Sequence, residues 1–376
     1  MTTAPESGNA DLLAPVAPGL SAGAFADRVL GAALGTLEMY AVYFGDRLGW
    51  YRTLAEQGPL TSLELSRATG TAERYAREWL EHQAVSGYLT VSDPTDQPQA
   101  RRYRLPAAHA EVLTDQDSLA HLGPFARVLA ATGLNLDDIV EAYRTGGGVS
   151  WQQLGVNARE GQAELNRPLF LHALAQQVLP GIPDLHARLR AGARVADVGC
   201  GAGWSAIGIA NGYPDVTVDG YDVDAASVET ARRNAAGAES ADRVTFVLQD
   251  VAARQLGDGT PYDAVFAFEC VHDLGDPVGF LRTMRGAVAG DGFVVVMDEL
   301  TEERFTAPAG PQERLLYGFS ITTCLVDGMA SEGAAGTGTV MRPETLRRYA
   351  AEAGFSRVEI LPSPADVDFR FYRLHL

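Results

Sequence analysis

The sequence carries an aspartate followed by three closely spaced glycines, a pattern suited to holding a charged ligand. The apolar run at 194–198 ends in this loop, and a helical pattern begins near residue 204. Glycines allow a tight turn and a close approach of ligand to backbone, and the helix start offers free N–H groups. A dinucleotide would require a glycine at 204 and would be repelled by the aspartate, whereas an ammonium group would be attracted to it. We therefore expect an ammonium-bearing ligand at Asp197, Gly199, Cys200, Gly201 and Gly203.

Further carboxylates follow the next two predicted strands. Asp222 ends the strand after the glycine loop, where a carboxylate can accept both hydroxyls of a ribose, although it could instead cap the following helix. Asp250 follows the third strand and could bind an adenine amino group, or it could be a solvated turn residue. Ligands of open parallel sheets bind beyond the carboxyl ends of the strands, so these positions belong to one site. The other expected contacts of this nucleoside are Val223, Val251 and Phe268.

A histidine and several acids follow the fourth and fifth strands. His272 lies just beyond the fourth strand, where its pKa suits it to removing a proton near neutral pH, although it could merely cap a helix that begins near Asp276. Glu269 or Glu299 could hold the ring, and Asp273 adjoins it. We expect no metal, because the sequence has no His-x-His or His-x-x-x-His pair to fix zinc, and a base is available without Mg²⁺.

The pattern of apolar residues indicates two kinds of domain. From residue 193, β-branched runs alternate with helical stretches, which predicts a parallel sheet covered on both faces, and the last two runs predict a terminal antiparallel hairpin. Residues 46–105 predict three short helices and a two-stranded wing, with Thr61 and Thr71 as helix N-caps. We expect a mobile tail at 1–20, a winged-helix domain at 21–110, a helical linker and cleft roof at 111–180, and an α/β domain at 181–376. The candidate roof residues, each of which could equally be core, are Tyr143, Trp151, Phe170 and His172.

Composition and charge exclude several functions. The chain has 376 residues and a net charge of −18, and its 30 basic residues are all arginine. Without lysine there can be no Schiff base and no Gly-Lys-Ser/Thr phosphate loop, and the acidic balance is unsuited to nucleic acid. The cysteines are too far apart in sequence for a typical disulfide framework, and neither a bilayer-spanning run nor a signal-peptide pattern occurs. We expect a cytoplasmic protein without a nucleic-acid or membrane partner.

The first long helical pattern presents an apolar face. Phe25, Val29, Tyr40 and Phe44 fall near one side of it, which is more apolar surface than a small domain readily buries. We therefore expect a homodimer formed through this region. A winged helix can also bind DNA, but acids offset the arginines of its third helix.

Three motifs together resemble those of class I S-adenosylmethionine-dependent methyltransferases. They are Asp-Val-Gly-Cys-Gly-Ala-Gly at 197–203, Gly-Tyr-Asp-Val-Asp at 220–224 and Gln-Asp at 249–250. The resemblance extends over residues 180–376 and implies a Rossmann-like α/β sheet of seven strands with an inserted antiparallel last strand. It implies S-adenosylmethionine as the cofactor, with its amino group near Asp197, its ribose on Asp222 and its adenine by Asp250. The whole chain is similar to bacterial methyltransferases that place a mainly helical winged-helix domain before this fold and act on small molecules.

The pair His272-Asp273 resembles the His-Asp of winged-helix plant-type O-methyltransferases, in which the histidine deprotonates the acceptor. Leu274 stands where that group usually has tryptophan. The resemblance implies methyl transfer to a nucleophilic oxygen, carbon or nitrogen of a small, largely apolar metabolite, with aromatic and indole-type acceptors as examples. The alternative from another class is a cofactor-sensing winged-helix transcriptional regulator. A nicotinamide oxidoreductase is disfavoured by Asp197 and by the glycine spacing.

Overall fold

The computed structural model describes residues 19–91, 97–364 and 367–376. The expected mobile tail at 1–20 therefore lies, up to residue 18, outside the described residues, as does the tip of the predicted wing at 92–96. Internal contacts divide the described chain into two compact units, which are residues 19–133 with 160–168 and residues 134–159 with 169–376. The linker expected at 111–180 is thus divided between the two units.

The first unit has the helix and wing pattern that the sequence predicts. Two aromatic rings, Trp50 and Tyr51, pack on Trp79 in its core at centroid distances of 4.8 and 5.0 Å. Strands β1 (Thr90–Val91) and β2 (Tyr103–Arg104) pair antiparallel as the wing. The helices are α1 (Ala22–Arg47), α2 (Trp50–Gln57), α3 (Ser62–Thr69), α4 (Glu73–Val85), α5 (Ala107–Thr114) and α6 (Phe125–Leu134).

Side-chain caps account for one of the two predicted helix starts. At the start of α3, the Thr61 hydroxyl accepts from Glu64 N at 3.2 Å and the Glu64 carboxylate accepts from Thr61 N at 2.8 Å, which is a capping box. Helix α4 has Ala72 as its N-cap. The hydroxyl of Thr71 instead accepts a hydrogen bond from the Trp50 indole N–H at 3.1 Å. The prediction for Thr71 is therefore wrong, because a tertiary contact uses the hydroxyl.

The second unit is the α/β domain. Helix α8 (Trp151–Pro168) bends at Gly155, and only its first part belongs to this unit; a π-helix (Leu169–Val178) follows it. The strands are β3 (Arg194–Val198), β4 (Thr217–Asp222), β5 (Val244–Leu248), β6 (Tyr262–Phe268), β7 (Val288–Glu299), β8 (Arg357–Ile360) and β9 (Phe369–His375). The other helices are α7 (Leu136–Thr145), α9 (Pro183–Arg190), α10 (Trp204–Gly212), α11 (Ala225–Ala236), α12 (Pro277–Ala287), α13 (Pro311–Phe319), α14 (Leu325–Gly328) and α15 (Pro343–Glu352), with a second π-helix at Ser320–Cys324.

Seven strands form one mixed sheet in the order β5-β4-β3-β6-β7-β9-β8. Neighbours among β3 to β7 are parallel, β9 is antiparallel to β7, and β8 is antiparallel to β9. The last strand of the chain therefore lies between two strands that precede it in sequence. The predicted parallel sheet, the terminal antiparallel hairpin and the inserted last strand are confirmed.

Apolar side chains cover both faces of the sheet. One cluster contains Phe266 and Met297 together with residues of the first π-helix and α10, and the other contains Val265 and Val296 together with residues of α12 and α15. Successive residues of β6 and β7 thus face opposite layers, as expected of strands buried on both sides. Among the described residues, no helix is both long and apolar enough to cross a bilayer.

Candidate active site

The loop between β3 and α10 has a backbone shape that favours glycine. Gly199, Gly201 and Gly203 have φ values of 75°, 51° and 81°. A Cβ on Gly203 would lie 2.5 Å from the Phe246 ring, whereas a Cβ on Gly201 would meet nothing within 4 Å. The loop is therefore packed at Gly203 and open at Gly201, where a ligand can approach the backbone. The side chain of Cys200 is buried, so only its backbone can serve a ligand.

Asp197, near the end of β3, is a fully buried carboxylate with one unsatisfied oxygen. Its Oδ2 accepts a hydrogen bond from the Ser205 hydroxyl at 2.5 Å, while Oδ1 has no hydrogen-bond partner among the described residues. Burial raises the pKa of Asp197 to about 7, against hydrogen bonds that lower it. An ammonium group on Oδ1 would satisfy this oxygen and stabilise the ionised carboxylate. Asp197 thus fits the amino group that the sequence pattern predicts.

Asp222, at the end of β4, faces the glycine loop. Its Oδ2 accepts from Gly201 N and its Oδ1 from Asp224 N, both at 2.8 Å. The alternative role of helix cap belongs to Asp224, whose side chain accepts from Ser227 N at the start of α11. Each carboxylate oxygen of Asp222 keeps a second lone pair, which a ribose hydroxyl can use. The neighbouring Val223 side chain is 71% exposed and can contact the same ligand.

The three remaining expected nucleoside contacts have different surroundings. Asp250 is exposed beyond β5, and its Oδ1 accepts from Ala252 N at 2.9 Å, as in the turn that was the alternative for this residue. Val251 is buried beside it. Phe268 is buried in the core, where it stacks on Phe266 with ring centroids 5.2 Å apart. Asp250 is therefore accessible to a ligand, whereas Phe268 serves mainly the core.

Arg159, in α8, is a cation of this site that the sequence analysis missed. Its Nε lies 3.7 Å from Asp224 Oδ2, and its Nη1 is buried with no hydrogen-bond partner in the described part of the chain. A buried guanidinium N–H beside a site lined by aspartates fits the carboxylate of a ligand. Because Arg159 lies in a helical segment without a recognisable motif, the sequence offered no signal for it.

His272 lies in a short 3₁₀ turn directly after β6 and is buried beside β7. Its Nδ1 lies 2.8 Å from Asp298 Oδ1, which also accepts from Glu299 N at 2.9 Å. The prediction that Glu269 or Glu299 holds the ring is therefore wrong, and Asp298 holds it. Consecutive residues of a strand point to opposite faces, so only one of 298 and 299 can face the histidine. Helix α12 is capped by Asp276, which leaves His272 free of that role.

The Asp298 carboxylate controls the charge of the histidine. Burial alone would lower the pKa of His272, but Asp298 raises it well above the ordinary value. Asp298 is itself only 1% exposed, and its Oδ2 has no hydrogen-bond partner among the residues described. With Nδ1 held by a carboxylate, Nε2 is the nitrogen that can take a proton from a bound molecule. This arrangement is typical of a general base.

Further acids and a thiol surround the histidine. Glu269 has a φ of 52°, the one positive value among described residues other than glycine. Its side chain hydrogen-bonds to Glu299, and burial together with the charge of Glu269 raises the pKa of Glu299 well above its usual range. Burial also raises the pKa of Asp273 to about 8. An oxygen of Asp273, the Sγ of Cys324 and a ring nitrogen of His272 all lie within 4.8 Å of one another.

The candidate roof residues have separate environments. Phe170 is buried and packs on Phe268 with ring centroids 5.6 Å apart, so it is a core residue. The Tyr143 hydroxyl donates to the Ile321 carbonyl at 3.0 Å. Trp151 N donates to Asp327 Oδ1 at 2.6 Å, which fixes the start of α8 on α14. His172 is exposed in the first π-helix.

Comparison with known families matches both parts of the chain. Residues 196–294 match the family described as a methyltransferase domain, and residues 36–115 match the Rv2258c-like winged HTH domain. The first range contains the glycine loop, Asp222 and His272. The second contains helices α2 to α4 and the wing.

Individual relatives are similar over different extents. 27-O-demethylrifamycin SV methyltransferase of Amycolatopsis mediterranei is 34% identical over 122 residues, which are 32% of this chain and 43% of that protein. The chain spans less than half the length of the curated relatives it matches. The structure of mitomycin 7-O-methyltransferase is similar with a TM-score of 0.70 at 21% identity, over 94% of this chain and 98% of that one.

Human N-acetylserotonin methyltransferase, solved in complex with S-adenosylmethionine, is similar with a TM-score of 0.70 at 17% identity, over 96% of this chain and 99% of that one. At such identities the likeness shows a common fold. The two family matches identify the type of each domain: a winged helix comes first in the chain and the methyltransferase domain follows it, as the sequence motifs predict. The chain therefore carries a class I S-adenosylmethionine-dependent methyltransferase domain, with a winged-helix domain before it.

Proposed function

We propose that the protein methylates a hydroxyl oxygen of a small, largely apolar aromatic metabolite. The observation that carries this proposal is the buried His272–Asp298 pair at the carboxyl ends of β6 and β7. Removal of a hydroxyl proton needs a positioned base, whereas many carbon and amine acceptors need less proton transfer before attack. Two of the similar proteins are named for O-methylation of small molecules, which supports the same acceptor atom.

The residues of the glycine-loop site fit each part of the cofactor. Asp197 would hold the amino group through its unpartnered Oδ1, and Arg159 would hold the carboxylate. Asp222 would accept the ribose hydroxyls, and Asp250 and Val251 would border the adenine. When bound, S-adenosylmethionine supplies an electrophilic methyl group.

His272 would accept the acceptor's proton at Nε2 while Asp298 stabilises the resulting imidazolium from the Nδ1 side. The rest of the catalytic effect would come from alignment of the hydroxyl with the methyl group. Glu269, Asp273 and Glu299 would line the acceptor side, while Asp298 would favour the protonated histidine.

The alternative of a transcriptional regulator has less support. In α4, which would be the DNA-reading helix, Arg74 lies 2.5 Å from Glu78 and Arg77 lies 3.6 Å from Glu73. Arginines paired in this way have little charge to offer to phosphates.

A panel of matched acceptors would test the proposal. The protein would be incubated with methyl-labelled S-adenosylmethionine and 1-naphthol, 1-naphthylamine, indole or 5-hydroxyindole, and transfer would be measured by label and mass. We expect transfer to the hydroxyl compounds, and its loss in the His272→Ala variant. Methylation of the amine or of indole carbon alone would contradict the proposed acceptor atom. High-affinity, salt-dependent binding to a DNA duplex without transfer would favour the regulator.

A further inference from the structure

The thiol of Cys324, at the end of the second π-helix, lies close to the imidazole ring of His272. Its Sγ lies within 4.8 Å of a ring nitrogen of His272. Nδ1 of the ring is already bonded to Asp298 at 2.8 Å, so Nε2 is the nitrogen left for another partner. The histidine is buried, and Cys324 is half-buried beside it.

The groups around the ring differ in what they can do at Nε2. Burial raises the pKa of Cys324 despite the neighbouring imidazole, so the thiol is protonated near neutral pH. A neutral thiol forms only weak hydrogen bonds, which a hydroxyl can replace at little cost. The other titratable groups of the described chain that interact with the ring are the carboxyls of Asp273, Asp298, Glu299 and Asp327 and the thiol of Cys270, whose pKa burial raises well above its ordinary value.

We propose that Cys324 is a positioning residue, whose thiol occupies the Nε2 side of His272 in the free protein and gives way to the acceptor hydroxyl. The thiol keeps the ring oriented when no acceptor is present. The kinetic part of this inference rests on the proposed function, but the contact in the free protein does not.

Histidine NMR would test the contact without any turnover. Protein labelled with ¹³C at histidine Cε1 would be titrated as wild type, Cys324→Ala and Cys324→Ser, with the His272 signal assigned from its absence in His272→Ala. The thiol stabilises the imidazolium, so its loss in Cys324→Ala should lower the His272 titration midpoint by about 0.5 to 1 pH unit. The serine hydroxyl should restore most of the shift. An unchanged midpoint in a folded Cys324→Ala protein would overturn the proposal.

A second titration would test the replacement of the thiol. In the presence of saturating S-adenosylhomocysteine and 1-naphthol, the midpoints of wild type and Cys324→Ala should coincide, because the naphthol hydroxyl then occupies Nε2 in both. A difference that persists would show that the thiol stays in place and would overturn the proposal.

Kinetics separate the two proposals. The acid limb of kcat/KM, which reports the free protein, should move to lower pH in Cys324→Ala, while the acid limb of kcat should not move. If the NMR midpoint moves but neither limb follows, His272 is not the base, and the failure lies with the proposed function. If the acid limbs of kcat/KM and kcat move equally, the acceptor hydroxyl does not replace the Cys324 thiol, and the proposal is overturned.

Discussion

His272 is the residue whose replacement should have the largest effect on methyl transfer. In His272→Ala we expect the rate to fall by about 10²–10⁴-fold, the span typical of general base catalysis, with little change in cofactor affinity. Steady-state kinetics and calorimetry with S-adenosylhomocysteine would measure the two effects. The control is His375→Ala, which removes side-chain contacts with Glu359 and Arg357 at the far end of β9. Activity within about threefold of wild type would make His272 structural and shift the role to Glu269 or Glu299.

Asp298 should set the pH at which the histidine can work. The base is active when deprotonated, and Asp298 raises its pKa, so activity should fall as the pH drops through that raised value. In Asp298→Asn the charge is lost, and the acid limb of the pH–rate profile should move to lower pH. The maximal rate should also fall, because the imidazolium loses its counter-charge. If the acid limb of the Asp298→Asn variant does not move, a group other than His272 sets that limb.

Asp222 should contribute directly to cofactor affinity. We expect Asp222→Ala to weaken binding of S-adenosylhomocysteine by about 1–3 kcal/mol, the usual effect of losing a buried hydrogen-bond partner. Asp250→Ala, at an exposed turn, should have a smaller effect in the same calorimetry. Equal affinities for wild type and Asp222→Ala would remove Asp222 from the ribose.

The two halves of the site were not equally predictable from the sequence. Asp197 and Asp222 lie in compact motifs at the ends of strands, so residue type and spacing were sufficient to predict that both belong to the cofactor site. Asp298 and Glu299 both stand at the end of the fifth predicted strand, but which of these two neighbouring acids faces the histidine depends on the strand's side-chain alternation. Arg159 and Cys324 reach the site from helices far away in sequence, and only the folded chain brings them there.

At the scale of elements, the start of α10 depends on glycine at two positions for different reasons. Gly203→Ala should destabilise the protein by more than Gly201→Ala, in chemical unfolding. Both variants bear the cost of a positive φ, about 1 kcal/mol or more. Only the alanine at 203 would also collide with Phe246 and with Ala231, whose Cβ would be 2.9 Å away. Equal losses would show that the loop relaxes around the added methyl group.

The elements themselves follow from local pattern, and the exceptions follow from tertiary contacts. Alternating β-branched runs were enough to predict the sheet and its terminal hairpin. The π-helical turns at 169–178 and 320–324 leave no such pattern, because their extra residue per turn changes hydrogen bonding and not composition. Threonine is a residue type that often caps helices, but the Thr71 hydroxyl accepts a hydrogen bond from the Trp50 indole instead.

At the scale of the whole molecule, we propose a homodimer formed through α1. Tyr40, expected on the apolar face, is half-buried. Six other apolar side chains of α1 are each more than half exposed, and they are Phe25, Val29, Leu30, Leu34, Leu37 and Phe44. A second copy of this helix is the simplest cover for such a stripe.

Charge on the stripe should prevent the dimer from forming. We expect the double variant Leu30→Glu, Leu34→Glu to sediment as a monomer at concentrations where wild type is dimeric, because glutamates would be buried without partners. Val85→Glu is the matched control, since Val85 is 84% exposed and lies on α4. Wild-type protein that sediments as a monomer at every concentration would contradict the proposal.

The position of β9 between β7 and β8 affects how the protein is made. The ribosome releases residues 369–375 only after the rest of the sheet, yet these residues pair with Val294–Glu299 on one side and Arg357–Ile360 on the other. Synthesis from 299 to 369 takes on the order of ten seconds, and during this time β7 has an open edge. Open edges invite pairing with other chains. We therefore expect more aggregation of the newly made chain when translation after β7 is slowed. The same is expected when many ribosomes translate one mRNA at once. In both cases the aggregation precedes cofactor binding.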